Sequence, residues 1–326
     1  TFEPFVGLKG RLFGLGRLYR LAKEIDAHVY HCNEVDSWIV GVWLRVFQKR
    51  ICVFDVHEHY PEEFAEVRLP VWARSLGRIA ISLFIRFLSY FTDRIVLAKK
   101  SLVEDFNFVP IERVCLVQNF VSLEAIPESR SRNKFVHAPL EIVHIGLMNK
   151  YRGWPQLLEA MTITRHQDLR LLVLGEINDG TKEEFLDTIK VSGLESRVRY
   201  KPWLPFQEAI SHIVESHVGI VCFQPGLYNH THALPHKLFD YMGAGLAIVA
   251  PDFAVEVSRI VKDTKCGLLI DSSNPAEIAD SFDYLASHPE EVKRMGRCGV
   301  RAVNEKYNWE REAEKLIDFY RELENS

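Results

Sequence analysis

The stretch Leu234 to Ala250, LPHKLFDYMGAGLAIVA, carries the residue types and spacing best suited to chemistry. Pro235 favours a helix start, where backbone N–H groups and the positive end of the helix dipole point outward. Lys237 and Asp240 are three positions apart and share a helix face, while Leu238, Phe239 and Met242 turn to the core. Gly243 and Gly245 end the helix, and a buried strand follows. A cation beside a helix N-terminus suits a diphosphate, and a carboxylate one turn on suits a pair of ribose hydroxyls. The same spacing also fits a surface salt bridge of small energetic weight.

Three further clusters carry ionisable or phosphate-friendly groups. Gly146 to Gly153, GLMNKYRG, lies between a strand and a helix, so Lys150, Arg152 and two glycines can approach phosphate oxygens. It matches neither the P-loop nor the dinucleotide fingerprint, and it also reads as a strand-helix turn with solvated basic residues. Asp55-Val56-His57-Glu58-His59-Tyr60-Pro61 follows a strand, and ligands of parallel sheets collect at the C-terminal strand ends. A histidine there can hydrogen-bond a sugar hydroxyl, accept a proton, or cap a turn. His57 and His59 could also bind a metal, although their spacing is not that of the HExxH zinc motif. Tyr228-Asn229-His230-Thr231-His232 with His236 forms a polar loop, and no cysteine or carboxylate pattern completes a metal site in it.

The elements that must position these residues alternate strand and helix, the pattern of parallel sheets covered by helices. The first half offers strands at His28 to Cys32, Ile51 to Asp55, Arg94 to Ala98 and Val114 to Gln118. Ser101 with Glu104 forms a capping-box signature. The second half offers Glu141 to Ile145, Leu169 to Leu174, Val198 to Lys201, Val218 to Phe223, Leu246 to Ala250 and Gly267 to Ile270. A helix is expected from about Trp154, and Asn274 with Pro275 marks another helix start. Six strands make a complete doubly wound domain; the four of the first half do not. That half lacks a glycine-rich first strand-turn-helix, so its domain is expected to be incomplete or unusually small. The expected organisation is residues 1–122, a proline-bounded linker at 123–139, and residues 140–306. The helix at about 307–326 is free to return to the first domain.

Bulk properties exclude several classes. A chain of 326 residues with 47% hydrophobic and 26% charged residues is too long for one ordinary core and not disordered. The net charge of −4 gives no reason to expect a nucleic-acid partner. The six cysteines form no CxxC pair and fit a reduced, cytoplasmic compartment. Arg86, Asp93 and Arg94 interrupt the most apolar run, Ile79 to Ala98, which reads as an amphipathic helix and a strand. The first segment alternates Lys9, Arg11, Arg17, Arg20 and Lys23 with Leu8, Leu12, Phe13, Leu15, Leu18 and Leu21. It reads either as a helix docked on the sheet or as a basic amphipathic helix in peripheral contact with the inner face of a membrane.

The stretches DVHEHYPEEF, GLMNKYRGWPQLLEAM and LPHKLFDYMGAGLAIVAPDF together resemble the family 4 glycosyltransferases of the GT-B fold, in the branch with a K-L-F-E-Y-M-A-x-G motif. The resemblance runs in order from about Val29 to the C-terminal helices. It implies an α/β protein of two Rossmann-like doubly wound domains facing across a cleft, the N-terminal one incomplete here. It also implies retaining, metal-independent transfer from a UDP- or GDP-linked sugar, with no cofactor, to a glycan or lipid-linked acceptor. By position, His57 matches the active-site histidine, and Arg152 and Lys237 would hold the diphosphate. Gly146, Lys150, His232, Pro235, Leu238 and Asp240 would complete the donor site. Asp240 stands where the family usually has a ribose-binding glutamate. His232 stands where many members have a second glutamate.

The transition state of such a transfer places growing negative charge on the departing phosphate, which preorganised cations stabilise more than the ground state. Two rivals share the fold: a nucleotide-sugar 2-epimerase, and a degenerate module that binds a nucleotide sugar or a partner without turnover. An NAD-dependent enzyme ranks lower, because no GxGxxG follows a strand.

Overall fold

The computed structural model describes residues 7–126 and 139–324. Most of the expected linker therefore lies outside the described residues. Two compact units form: one holds the described residues up to Asn119 together with those from Glu312 onward, the other runs from Phe120 to Arg311.

The first unit contains a parallel sheet of β1 (Val29–Cys32), β2 (Ile51–Val56), β3 (Arg94–Leu97) and β4 (Val114–Leu116), in that spatial order. Its strands alternate faces as a period of two requires. Cys52, Phe54, Val56, Ile95 and Leu97 pack with Trp38, Ile85, Leu88 and Leu102 on one face. Val53 and Val96 turn to the other face and meet Phe319 and Leu323 of the last helix, Trp309–Glu324. The amide of Gln118 donates to the buried Glu312 carboxylate at 2.9 Å, fixing the start of that helix against the sheet.

Helix Gly7–Ile25 docks Leu15, Leu18 and Ala22 beside Val40 and Leu44 of helix Val35–Gln48. The side chains of Leu8, Lys9, Arg11, Leu12 and Phe13 lie outside the described residues. No described helix is long and apolar enough to cross a membrane.

The second unit has a six-stranded parallel sheet: β5 (Glu141–Ile145), β6 (Arg170–Leu174), β7 (Val198–Lys201), β8 (Val218–Ile220), β9 (Ala247–Pro251) and β10 (Gly267–Ile270). The spatial order is β10-β9-β8-β5-β6-β7. The chain starts in the middle, builds outward through β7, then returns to the other side of β5. That reversal leaves a crevice beyond the carboxyl ends of β5 and β8, where adjacent connections diverge to opposite faces. Apolar clusters cover both faces of the sheet.

Three strand expectations match their bounds, five differ by one residue at one or both ends, and two differ more. Val218 to Phe223 and Val114 to Gln118 shorten to Val218–Ile220 and Val114–Leu116. Beyond Ile220 the chain leaves its neighbour β5, whose paired register with β8 covers only Ile142 and Val143. The capping box at Ser101 is also corrected. Ser101 already has helical φ and ψ (−60°, −25°) and makes no side-chain cap; its hydroxyl instead lies 3.1 Å from Nε2 of His59. Asn274 caps as expected, accepting from the amide of Ala276 at 3.1 Å.

Candidate functional site

The crevice of the second unit is built from the connection after β5 and from helix His236–Gly243, which packs across the sheet. Two features hold them in register. The phenol of Tyr241 accepts the Ile145 N–H at 2.9 Å. Gly219 of β8 leaves the space the Tyr241 ring fills, since a Cβ there would overlap it. The helix is thus seated directly on the strand whose end carries Gly146.

Gly146 has φ +88°, a left-handed conformation that favours glycine, and its Cα hydrogens face the side chain of Lys237. Gly153 has φ +81° and abuts the Cys222 carbonyl and the Gln224 side chain at the end of β8. Between the two glycines, Asn149 caps a short turn by accepting from the Arg152 amide at 2.9 Å. The Arg152 guanidinium sits 5.6 Å from the centroid of Phe223 and reaches the Leu147 carbonyl at 3.5 Å.

Pro235 is the N-cap of helix His236–Gly243, so the first-turn amides open onto this crevice. Lys237 and Asp240 are buried, at 8% and 3% exposure, which rules out the exposed salt bridge that their spacing also allowed. Lys237 Nζ lies 3.1 Å from Nε2 of His144, a buried residue of β5. Among the described residues no carboxylate pairs with this ammonium. Burial, with Arg152 nearby, pushes its pKa well below the ordinary lysine value. Burial first, and then Lys237, hold His144 well below its own usual value. His144 is therefore held towards its neutral form, and its Nε2 also lies 3.4 Å from the Leu147 carbonyl.

Asp240 accepts from Nδ1 of His236 on one oxygen at 3.1 Å. Its other oxygen, Oδ1, is buried without a hydrogen-bond partner among the described residues. A buried carboxylate oxygen left in this way is costly unless something arrives to donate to it. The bond to Asp240, opposed by burial, raises the pKa of His236.

The other expected donor residues are placed less centrally. Lys150 donates from Nζ to Glu184 at 2.8 Å and from its amide to Asp179 at 2.9 Å, so its charge is engaged at the rim. His232 stands at the C-cap of the short helix Tyr228–Thr231, its ring 4.3 Å from that of Tyr228. Leu238 is fully buried in the core, and its amide donates to the Pro235 carbonyl at 3.1 Å. Its side chain can hold no ligand. Three contributors escaped sequence reasoning: His144, Tyr241 and Gln224. A histidine inside the apolar run EIVHI, two residues ahead of Gly146, was a usable signal for the first.

In the first unit, His57 follows β2 and is 37% exposed. Its Nε2 lies 3.2 Å from Oδ2 of Asp55, and its Nδ1 lies 3.3 Å from the side-chain amide of Asn119. His59 is buried and turned elsewhere, towards Asp105 at 2.7 Å and Ser101. The two histidines are therefore directed at different partners. No group of three or more metal-ligating side chains is assembled among the described residues.

Comparison with known proteins adds the family. Glycosyl transferases group 1 match residues 125–301 of the chain. The D-inositol 3-phosphate glycosyltransferase of Paenarthrobacter aurescens (strain TC1) is 22% identical over 199 residues, which cover 60% of this chain and 47% of that protein. Spore coat protein SA of Bacillus subtilis (strain 168) is 22% identical over 192 residues, 57% of this chain and 49% of its own. The chain thus spans about half the length of the curated relatives it matches. Among solved structures, Anabaena HepE in complex with UDP superposes with a TM-score of 0.72 at 13% identity, covering 94% of this chain and 82% of that one. The sucrose-phosphate synthase of Thermosynechococcus elongatus gives a TM-score of 0.75 at 16% identity, covering 99% and 80%. These likenesses place both parallel-sheet units in the GT-B fold.

Proposed function

The chain belongs to the glycosyl transferases group 1, and we propose that it moves a sugar from a nucleoside-diphosphate sugar to a hydroxyl acceptor, with retention at the anomeric carbon. One observation carries this reading. A buried ammonium, Lys237, without a carboxylate partner among the described residues, stands one helical turn from Asp240, whose buried Oδ1 has no donor there. A diphosphate supplies the missing anion, and a ribose supplies the missing hydroxyl donors.

In this reading Lys237, Arg152 and the first-turn amides hold the diphosphate and stabilise the charge that grows on it as the sugar departs. Charge-assisted contacts of this kind are worth about 1.5–3 kcal/mol each, so losing either cation slows transfer by roughly one to two powers of ten. The nucleotide sugar is a substrate, and the proposal asks for no metal or cofactor. His57 serves the transfer from the first unit, as the resemblance implies. The acceptor is a saccharide or lipid-linked saccharide on the same ground. Membrane contact through helix Gly7–Ile25 forms no part of this reading, because Leu15 and Leu18 pack beside Val40 and Leu44.

The test is calorimetric titration of the chain with UDP, GDP and ADP, repeated for Lys237→Ala and Asp240→Ala. UDP comes first, because HepE is described in complex with it. Tight binding of one nucleotide, weakened in both variants, supports the donor site. A folded chain that binds none of them sinks it.

A further inference from the structure

Five side chains of the first unit form a continuous polar row. The phenol of Tyr320, on the last helix, hydrogen-bonds Nδ1 of His31 on β1. Nε2 of His31 lies 3.1 Å from Oδ2 of Asp55, at the end of β2. The same carboxylate oxygen lies 3.2 Å from Nε2 of His57. Nδ1 of His57 then faces the Asn119 amide at 3.3 Å.

We propose that Asp55 is a positioning residue for His57: one of its oxygens gathers Nε2 of both His57 and His31, Tyr320 locks His31 from behind, and Nδ1 of His57 is thereby presented as the atom that meets a sugar hydroxyl. The assignment of a sugar hydroxyl rests on the function proposed above; the orientation and tautomer do not.

The row admits one consistent assignment of protons. A carboxylate only accepts, so both histidines must carry a proton on Nε2. A neutral His31 then has a bare Nδ1, which suits the Tyr320 hydroxyl as donor. Burial, together with Asp55 nearby, pushes the Tyr320 phenol up to about 12, so it keeps that proton. Asp55 is held down at about 2: burial alone would raise it, and the bonds from His31 and His57 outweigh burial.

His57 has its bond to Asp55 as the main cause of a raised pKa, opposed by burial. The charges facing it beyond Asp55 are Glu58, which adds to the rise, and Lys99, which counters it. Lys99 is itself tied to Glu58 at 2.8 Å, so the two largely offset each other. Asn119 can turn either its NH2 or its carbonyl towards Nδ1, and so it matches His57 in both protonation states. Its 3.3 Å separation is the longest in the row for which a distance bears on His57, and it is the one a ligand hydroxyl would replace.

Tyr320 packs against the apolar cluster of the last helix, but the core does not extend along the row. His31, Asp55 and His57 belong to no apolar cluster, and all three keep contact with solvent. What the row does fix is the rotation and tautomer of one ring.

Nitrogen-15 NMR of the histidine-labelled chain, without nucleotide, tests this directly. The expected result is that neutral His57 is the Nε2–H tautomer, and that Asp55→Asn lowers its titration midpoint while mixing the tautomers. Tyr320→Phe, which removes a single hydroxyl, is expected to change the tautomer ratio of His31. A neutral His57 protonated on Nδ1, or an Asp55→Asn chain with unchanged midpoint and tautomer, would overturn the proposal. Should Asp55→Asn fail to fold, the wild-type tautomer and the Tyr320→Phe spectrum decide it alone. Because no nucleotide is added, the result stands apart from the donor-site test: a chain that binds no nucleotide can still show the row, and one that binds UDP can still lack it.

Discussion

Lys237 Nζ lies 3.1 Å from Nε2 of His144, and both side chains are buried. One comes from the head of helix His236–Gly243 and the other from β5, on either side of the crevice. The contact joins the lysine to a ring held towards its neutral form, so it orients the amino group without supplying a counter-charge. Charging the lysine there costs stability until an anion binds, which is why burial depresses its pKa.

Replacing Lys237 with Met should therefore leave the Tm of the nucleotide-free chain unchanged or higher. The same variant should lose UDP affinity by about tenfold or more, in line with about 1.5–3 kcal/mol for a charge-assisted contact. Thermal melts with and without UDP check both halves. A Tm that drops as for an ordinary core truncation would mean that Lys237 is structural.

Nucleotide binding should take up a proton. In the free chain burial and Arg152 depress the pKa of Lys237; a bound diphosphate favours the charged ammonium and raises it again. Affinity should then fall as pH rises through the value of the free chain, and proton uptake should disappear in Lys237→Met. Calorimetry in two buffers of different ionisation enthalpy measures the uptake. Equal enthalpies in both buffers would exclude it.

Asp240 should make the chain prefer ribose. UDP should bind more tightly than 2′-deoxy-UDP, and Asp240→Ala should abolish most of that difference by removing the buried acceptor. Titrations of both ligands on both chains form a double-mutant cycle. A preference that survives in Asp240→Ala would place the ribose elsewhere.

Seating of the helix should matter as much as its charges. Tyr241→Phe leaves the Ile145 N–H without its acceptor, at a cost of about 1–3 kcal/mol for a buried unsatisfied donor. Gly153→Ala adds about 1–2 kcal/mol of backbone strain at φ +81°, besides the overlap with Cys222 and Gln224. Denaturant melts should show both losses. A Tyr241→Phe chain as stable as wild type would mean that water or a shifted backbone satisfies the amide.

The pH dependence of stability follows from the first unit. The raised pKa of His57 means that the stability from its bond to Asp55 is fully present below the unfolded histidine value and is lost as pH rises through the folded one. The lowered pKa of Asp55 means that its share is present above the unfolded carboxyl value and is lost as pH falls towards about 2. Urea melts across these two windows should show both slopes in wild type, each shallower in Asp55→Asn.

Much of this protein is local, and the amino-acid sequence by itself determines it. Short apolar runs specify the ten strands of the described residues, Pro235 and Pro275 mark helix starts, and Gly146 and Gly153 mark the turns that only glycine adopts easily. Lys237 and Asp240 could be read as neighbours, because three residues along a helix always share a face. Whether they formed an exposed pair or a buried, unneutralised one could not, since burial depends on what the sheet places beneath them. His144 stands 93 positions from Lys237, Tyr241 reaches 96 positions to Ile145, and Tyr320 reaches 289 positions to His31. Such contacts are created by the order in which parallel strands are laid down, and the return of the chain to the far side of β5 brings the two halves of the crevice together. Side-chain chemistry is written residue by residue, but desolvation and pairing belong to the packed state, and it is packing that turns Lys237 and Asp240 into a candidate site.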